Sequence, residues 1–238
     1  MAQVDLTRRA EIGRQKRART RAGIIETALR VVAERGFDAP TIDEFVDAAQ
    51  VARGTFYNYF ETREELLAAV AAHVVDEIDS ALLPIYASTD DPARRMSVAL
   101  RHFTIKSRER PDWGWLIVRM IPIRGGTLSE EMRKGVLQDL TSGKRSGRFK
   151  IASVEAALAF GMGTLMMSIR TALSSPVPTD FAESMASMLL QGYGVPAREA
   201  SRLASLPMPP ETQPIVSGRS DARPRVARTR VKSRVSRF

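Results

Sequence analysis

Apolar residues recur every three or four positions along most of the chain, which is the spacing of one face of an α-helix. The first such face consists of Ile25, Ala28, Leu29 and Val32. Gly36 then supplies a signal for the end of that helix. No segment shows the alternation of apolar and polar residues that indicates a half-buried strand. The pattern therefore predicts an all-α fold.

Capping signals mark where the helices should begin. In a capping box, Thr caps the helix N-terminus and Glu three positions later caps the Thr backbone in return. Thr41 with Glu44 opens a short helix, and Thr62 with Glu65 opens a long one that we expect to end near Pro84. Later helices are predicted to begin near Asp91, Asp112, Ser129, Ser153, Thr179 and Pro196, with Pro122 ending the one from Asp112.

Charge is concentrated at the two ends of the chain. The net charge is +9, of which residues 1–21 carry +5 and residues 206–238 carry +6, so the segment between them is close to neutral at −2. Basic ends commonly meet a polyanion, although simple solvated tails have the same composition. From Pro207 onward the chain is rich in Pro, Ser and Arg, and we expect residues 207–238 to be disordered.

The composition argues against several kinds of site. The absence of cysteine removes disulfides, thiolate metal sites and cysteine nucleophiles, and it fits a reducing compartment. No stretch approaches the roughly 18 uninterrupted apolar residues of a membrane span. We expect the two histidines, His73 and His102, to be surface or core residues, because neither has a second histidine at ligand spacing. We expect a cytoplasmic protein with no membrane contact, cofactor, metal or enzymatic activity.

Residues 51–60 read VARGTFYNYF and place four aromatic rings within five positions of a chain that is 6% aromatic. Helical spacing puts Phe56 and Phe60 on one face, where they can pack inward against Phe45. The other side should present groups that suit phosphate oxygens and base edges. These groups belong to Arg53, Thr55, Tyr57, Asn58 and Tyr59, and Gly54 allows the helix backbone to approach a duplex closely. With the helix from Thr41, this segment predicts a helix-turn-helix, whose second helix enters the major groove.

The segment TIDEFVDAAQVARGTFYNYFETREELLAAV closely resembles the signature of the TetR (tetracycline-repressor-like) family of bacterial regulators. The resemblance covers about residues 20–75 and many spaced positions. It implies that Arg53 reads bases, that Thr55, Tyr57, Asn58 and Tyr59 contact phosphates and bases, and that Arg63 grips a phosphate. It also implies that the basic arm before the first helix, with Arg14, Lys16, Arg17, Arg19 and Arg21, meets the DNA backbone or the minor groove.

Three positions depart from the family pattern. Gln50 replaces the usual turn glycine, so a residue expected to need positive φ carries a side chain at some cost in strain. Ala52 replaces a serine that would cap the recognition helix. Arg63 replaces a lysine, which keeps the charge but changes the contact geometry.

The resemblance further implies that the later helices form a regulatory domain that dimerises and encloses a small-molecule pocket. Two long helices near residues 153–173 and 179–191 are the candidates for dimerisation. The predicted interface residues are Gly161, Leu165, Met166, Ile169, Met185 and Met188, although an ordinary core would show the same pattern. The predicted lining of an apolar pocket consists of Phe103, Trp113, Trp115, Met120 and Met162.

Together these features predict the domain organisation and the function of the chain. The chain should have a flexible basic arm (1–21), a three-helix helix-turn-helix domain (22–66), a helical regulatory and dimerisation domain (67–206) and a disordered tail (207–238). We expect a homodimeric repressor that binds a palindromic double-stranded DNA operator through residues 52–59 and is released by an unknown small apolar ligand. The alternative is a nonspecific, nucleoid-associated DNA binder that uses its basic termini.

Overall fold

The computed structural model describes residues 2–123 and 129–209. Within those residues every regular element is a helix, so the predicted all-α fold is confirmed there. The helices are α1 (Ala2–Arg35), α2 (Ile42–Ala49), α3 (Arg53–Tyr57), α4 (Arg63–Ser88), α5 (Pro92–Glu109), α6 (Pro111–Ile123), α7 (Glu130–Arg145), α8 (Val154–Ser174), α9 (Phe181–Gly192) and α10 (Ala197–Ser205).

The helix starts follow the capping signals closely. Thr41 and Glu44 form both halves of a capping box at α2. At α4 the Thr62 side chain accepts from the Glu65 N–H, but the Glu65 carboxylate accepts from the backbone of Glu61 rather than of Thr62. Asp91, Ser129 and Ser153 cap α5, α7 and α8 as predicted. The start of α9 is wrong by one residue, because its N-cap is Asp180 and not Thr179.

Two helices continue through a proline at which we expected them to stop. Pro84 lies inside α4, which runs on to Ser88, and Pro122 lies inside α6. Proline removes one backbone donor but does not forbid the following residues from helical geometry. At α4 the burial of Leu82 and Ile85 on either side of the proline holds the last turns in the core.

The N-terminal segment also differs from the expectation of a flexible arm. Residues from Ala2 onward are helical and continuous with the packed part of α1, which begins at Ile24. The side chains of residues 11–19 are all exposed, so this part of the helix projects from the body. The basic residues of the arm therefore lie on a helix.

The packing places the helix-turn-helix at one end of the molecule. Helices α1, α2, α3 and α4 bury their apolar faces together, and α5, α8, α9 and α10 pack into a second layer of helices. Helix α6 contacts both α1 and α8, so it lies at the junction of these two parts. The region from Pro210 to the C-terminus, where we predicted a disordered tail, lies outside the described residues.

Helix α8 has an unusual surface. It is long and apolar enough to cross a membrane by length and composition, but only 28% of its most apolar window is buried in the subunit. Composition alone does not distinguish a membrane span from a packed helix of this length. Because Leu165 and Ile169 pack into the core, one side of α8 is an internal surface.

Candidate DNA-binding surface and regulatory cavity

The turn between α2 and α3 has the backbone geometry predicted from the sequence. Gln50 adopts the left-handed conformation, with φ 52° and ψ 39°, and its N–H donates to the carbonyl of Asp47. It is the one non-glycine residue with positive φ among those described. Ala52 occupies the N-cap of α3 and makes no side-chain cap. The turn therefore closes without the glycine and the serine that resembling sequences use.

Two phenylalanines fix the orientation of α3. Phe56 and Phe60 are fully buried, with ring centroids 5.9 Å apart, and Phe45 of α2 is buried with them. Full burial of such a ring contributes about 1.5–3 kcal/mol, which is large for a helix of five residues. The inward role predicted for these rings is confirmed.

The opposite side of α3 faces solvent. Arg53, Gly54, Tyr57 and Asn58 are exposed, and Tyr57 shows 40% of its surface, which is unusual for a large aromatic residue. Thr55 and Tyr59 lie at the edge and are partly covered. No Cβ clash would arise at Gly54, so the backbone there is open to a close approach. The structure thus gathers six of the seven predicted DNA contacts on one surface.

Arg53 has a partner already. Its guanidinium pairs with the Asp43 carboxylate of α2 at 2.7 Å and lies 5.9 Å from the centre of the Tyr57 ring. The hydrogen bond with Tyr57 and the charge of Asp43 raise the pKa of Arg53. These neighbours hold the side chain along the exposed face of α3. Both partners of the ion pair are well exposed, so a nucleic acid can compete for the guanidinium.

Arg63, the seventh predicted contact, is used differently. Its Nε donates to the carbonyl of Pro40 at 2.8 Å, and a terminal nitrogen donates to the carbonyl of Phe37. The side chain is only 24% exposed. In this structure Arg63 joins the start of α4 to the loop between α1 and α2, and its contact with a phosphate stays a prediction.

An open crevice of about 540 Å³ separates the projecting part of α1 from α3. Arg17 bridges the two sides, since it donates to the carbonyl of Asn58 at 3.1 Å and lies over the Tyr59 ring. The lining of the crevice is polar and basic and contains no acidic residue. It consists of Gly13, Lys16, Arg17, Thr20, Thr55, Asn58 and Tyr59.

The second part of the molecule contains an apolar cavity of about 40 Å³ between α5, α7, α8 and α9. Phe103 and Met162 line it, as predicted from the sequence. The other lining residues were not predicted: Met96, Ala99, Leu100, Met132, Val136, Gly161, Leu165, Leu189 and Tyr193. The Tyr193 hydroxyl donates to the carbonyl of Ala157 at 2.9 Å, and burial raises the pKa of this phenol.

The other three predicted pocket residues lie elsewhere. Trp113 is fully buried behind Phe103, with the two rings stacked 5.9 Å apart. Trp115 is partly buried and Met120 is a core residue, and neither lines this cavity. The prediction treated any apolar residue on α6 as a possible lining residue. Helix α6 packs on α1 and α8, so Trp113, Trp115 and Met120 lie outside this cavity, and their role as ligand contacts stays a prediction.

The predicted dimer residues divide between two faces of α8 and α9. Gly161 and Leu165 line the internal cavity and Ile169 is fully buried, so these three face the interior of the subunit, and their place in a dimer interface stays a prediction. Met166 and Met185 are partly buried, and Met188 is 63% exposed. Phe160 and Met167, which the prediction missed, are 47% and 48% exposed. Helix α8 is apolar on both sides, so periodicity could not identify its outer face.

Two arginines connect the helical body to α1. Arg119 of α6 donates to the carbonyls of Val32 and Ala33, both at 2.6 Å, at the C-terminal end of α1. Arg110, which follows α5, pairs with Glu77 of α4 at 2.9 Å and with Glu26 of α1 at 3.2 Å. A cation near the last carbonyls of a helix satisfies acceptors that have no partner within the helix. The two parts of the molecule therefore meet through directed polar contacts.

The fold and the exposed helix define a helix-turn-helix DNA-binding protein with a second, helical domain. Residues 24–70 match the model of the bacterial regulatory proteins of the tetR family. Residues 91–206 match the model of the tetracyclin repressor-like C-terminal domain. The chain belongs to the TetR family of bacterial regulatory proteins, as the resemblance of residues 20–75 predicted.

Solved structures agree with this assignment. The chain is 36% identical to RolR crystallised with its ligand resorcinol, with a TM-score of 0.57 over 82% of this chain and 97% of that one. RolR without ligand gives 34% identity and a TM-score of 0.59 over 79% and 98% of the two chains. A TetR family transcription regulator from Marinobacter aquaeolei VT8 shares the fold at 22% identity, with a TM-score of 0.63 over 75% and 97%.

Curated relatives match over shorter segments. TcmR of Streptomyces glaucescens, an HTH-type transcriptional regulator, is 26% identical over 126 residues, which are 50% of this chain and 55% of TcmR. YuxN of Bacillus subtilis, an uncharacterized HTH-type regulator, is 32% identical over 69 residues, which are 29% of this chain and 24% of YuxN. The chain therefore spans between about a quarter and about half of the length of these relatives.

Proposed function

We propose that this protein is a homodimeric, cytoplasmic transcriptional repressor that binds a palindromic operator through residues 52–59. A small apolar ligand in the helical body releases it from DNA. The observation that carries the proposal is the exposed face of α3, where Arg53, Tyr57 and Asn58 project from a helix fixed by two buried phenylalanines. Side chains with these donors suit the major groove.

A dimer is favoured by the outer faces of α8 and α9. Phe160, Met167 and Met188 form an exposed apolar surface that a soluble monomer would leave in water. A two-fold dimer presents two copies of α3, and it would read two half-sites about 34–36 Å apart or somewhat more. The palindrome in the operator follows from this symmetry.

The cavity supports an apolar ligand, provided that it can enlarge. Its volume of about 40 Å³ is well below the roughly 150 Å³ of an engineered cavity that accepts benzene. Three of the lining residues are methionines, whose flexible side chains can make room at small cost. RolR binds resorcinol, a single aromatic ring, so ligands of that size are the first to test on this chain.

Release from DNA would follow from a preference of the ligand for one arrangement of the two parts. A ligand that enlarges the cavity displaces α5 and α8 relative to their neighbours, and Arg110 and Arg119 connect the α5–α6 region to α1. An arrangement with the wrong separation of the two α3 helices then becomes more populated. The ligand shifts this equilibrium only by its difference in affinity for the two states.

The test is selection of genomic DNA fragments by the purified protein, followed by footprinting of the selected fragments. We expect a protected inverted repeat, and Arg53→Ala should weaken binding to it by about 1–3 kcal/mol while relaxing the preference for one sequence. Equal losses on the operator and on unrelated DNA would show that Arg53 reads no base. Addition of small aromatic compounds to the complex should identify the ligand by loss of binding.

The alternative function is nonspecific DNA binding by the basic ends, and the charge of +5 in residues 1–21 and +6 in residues 206–238 favours it. In that case deletion of both ends would abolish binding and Arg53→Ala would leave it intact. The selected fragments would then share no repeat. The two functions are thus separated by the same set of variants.

A further inference from the structure

We propose that the basic C-terminal segment of this chain, residues 219–238, docks in an acidic groove on the outside of its own helical body. The groove lies between α4 and the start of α7 and has a volume of about 500 Å³. It is lined by Asp76, Asp79, Ser80, Leu82, Leu83, Tyr86 and Glu131. The contact involves neither α3 nor the apolar cavity, so it would form whether or not the protein binds DNA.

The groove combines negative charge with an exposed apolar group. Asp76 and Glu131 are exposed and Asp79 is partly covered, and among the described residues no basic side chain lines the groove. Leu83 leaves 71% of its surface in solvent, more than any other exposed large apolar side chain in the described part of the chain. The described residues include no group of three or more side chains placed to hold a metal ion. A basic chain with apolar side chains of its own is therefore the occupant that fits this groove.

The basic C-terminal segment has the complementary composition. It reads RSDARPRVARTRVKSRVSRF and holds eight basic residues and one acidic residue, so its net charge is +7. Valines recur between the basic residues, and Phe238 ends the segment, so it can cover the exposed leucine as well as the carboxylates. Each exposed ion pair is weak and is screened by salt. Because the segment is tethered, its effective concentration at the groove is on the order of millimolar, and several weak contacts are then enough.

The described chain ends close to the groove. Arg94, near the start of α5, donates to the carbonyl of Pro207, and the adjacent Arg95 donates to the carbonyl of Tyr86 at 3.2 Å. Pro207 and the groove residue Tyr86 thus each lie within one arginine side chain of the same end of α5. The linking residues 210–218 can span roughly 30 Å when extended. The stretch of α4 that lines the groove is only about 15 Å long, so the segment can reach the groove of its own subunit.

Disulfide trapping in the full chain tests the docking, because the wild-type chain contains no cysteine. Ser80→Cys places one thiol in the groove, and Ser233→Cys places the other in the basic C-terminal segment. The control pair is Ser205→Cys with Ser233→Cys. Ser205 is exposed and is closer to Ser233 along the chain, so an undocked segment would meet it more readily. We expect the Ser80 pair to cross-link severalfold faster than the Ser205 pair, and equal or slower cross-linking of the Ser80 pair would overturn the proposal.

The role of charge is tested by Asp76→Asn combined with Glu131→Gln, which removes two carboxylates and keeps the size of both side chains. Asp79 is left unchanged, because its carboxylate accepts from the hydroxyl of Ser129, the residue that caps α7. The double variant should slow the groove cross-link severalfold, and so should an increase in salt from about 0.1 M to about 1 M. Glu130→Gln is the control, because it removes a charge from the same turn of α7 outside the groove and should leave the rate unchanged. Cross-linking that is insensitive to both the double variant and salt would overturn electrostatic docking.

The mass of the cross-linked product identifies the occupant. Docking within one subunit gives a product of monomer mass under denaturing, non-reducing conditions. A product of doubled mass would show that the groove takes the segment of a second copy, and this would overturn docking within the subunit. None of these measurements uses DNA, so their outcome is independent of whether the proposed function is correct.

Discussion

Single residues in the helix-turn-helix have roles that sequence position alone does not assign. Arg63 follows the capping residue of α4, where resembling sequences carry a lysine, and a phosphate contact was the natural expectation. The structure gives its guanidinium to the carbonyls of Pro40 and Phe37 instead. Arginine can donate to two acceptors at fixed angles, which a lysine cannot do. In this structure the arginine therefore serves as an internal brace, with a geometry that a lysine could not reproduce.

This brace leads to a prediction on stability. Arg63→Ala should lower the free energy of unfolding by about 1–3 kcal/mol, because the partly buried carbonyls of Pro40 and Phe37 lose a charged donor. Arg63→Lys should lose most of the same stability, although it keeps the charge. Chemical denaturation of both variants measures this directly.

A phosphate contact of Arg63 would give different results. If Arg63→Ala unfolds like the wild type but lowers the salt slope of DNA binding by about 1, and Arg63→Lys restores that slope, then the residue grips a phosphate.

Local sequence predicts backbone conformation and burial in the helix-turn-helix but not long-range side-chain contacts. The left-handed conformation of Gln50, the lack of a side-chain cap at Ala52 and the burial of Phe56 and Phe60 were all predicted, and all are confirmed. Each depends on backbone geometry or helical spacing over a few residues. The contacts of Arg63 could not be predicted, because they reach 23 and 26 positions back along the chain.

Among the secondary-structure elements, α8 is the helix whose bounds the sequence predicted but whose inner face it did not. The cap at Ser153 and the approximate length of the helix were predictable. The choice of face was not, because both sides of α8 carry large apolar groups, one for the core and one exposed. A pattern of period 3.6 identifies an inner face only when the other side is polar. Most positions of α6 are also apolar, so spacing alone could not show that Trp113 and Met120 are core residues.

Helix α6 is the element best placed to join ligand and DNA binding. Its Arg119 donates to carbonyls in the last turn of α1. A movement of α6 would therefore displace α1, which forms one wall of the basic crevice. Arg119→Ala should lower the stability of the protein by about 1–3 kcal/mol and should reduce the loss of operator affinity that the ligand causes. Denaturation and operator binding with and without ligand measure the two effects.

Arg202→Ala is the matched control for Arg119→Ala. It also removes one arginine from a helix, but the Arg202 side chain is exposed to solvent on α10, away from the junction with α1. We expect it to leave both the stability and the ligand response nearly unchanged. A full ligand response in Arg119→Ala would show that α6 does not couple to α1 through this contact.

At the scale of the whole molecule, the proposed dimer would form through the exposed faces of α8 and α9 and so bring two copies of α3 to DNA. Met188 of α9 is 63% exposed and Phe160 of α8 is 47% exposed. A charged group buried in an interface without a partner is strongly unfavourable. Met188→Asp should therefore convert the dimer to a monomer in sedimentation experiments, and operator affinity should fall because only one half-site is held at a time.

Leu83→Asp provides the control for this change. Leu83 is more exposed than Met188, at 71%, but it lies on α4, away from α8 and α9. The same charge introduced there should leave both the molecular mass and the operator affinity as in the wild type. If Met188→Asp stays dimeric while the protein still protects an inverted repeat, the two copies must associate through another surface. The spacing of the half-sites would then have to be explained by that surface and not by α8 and α9.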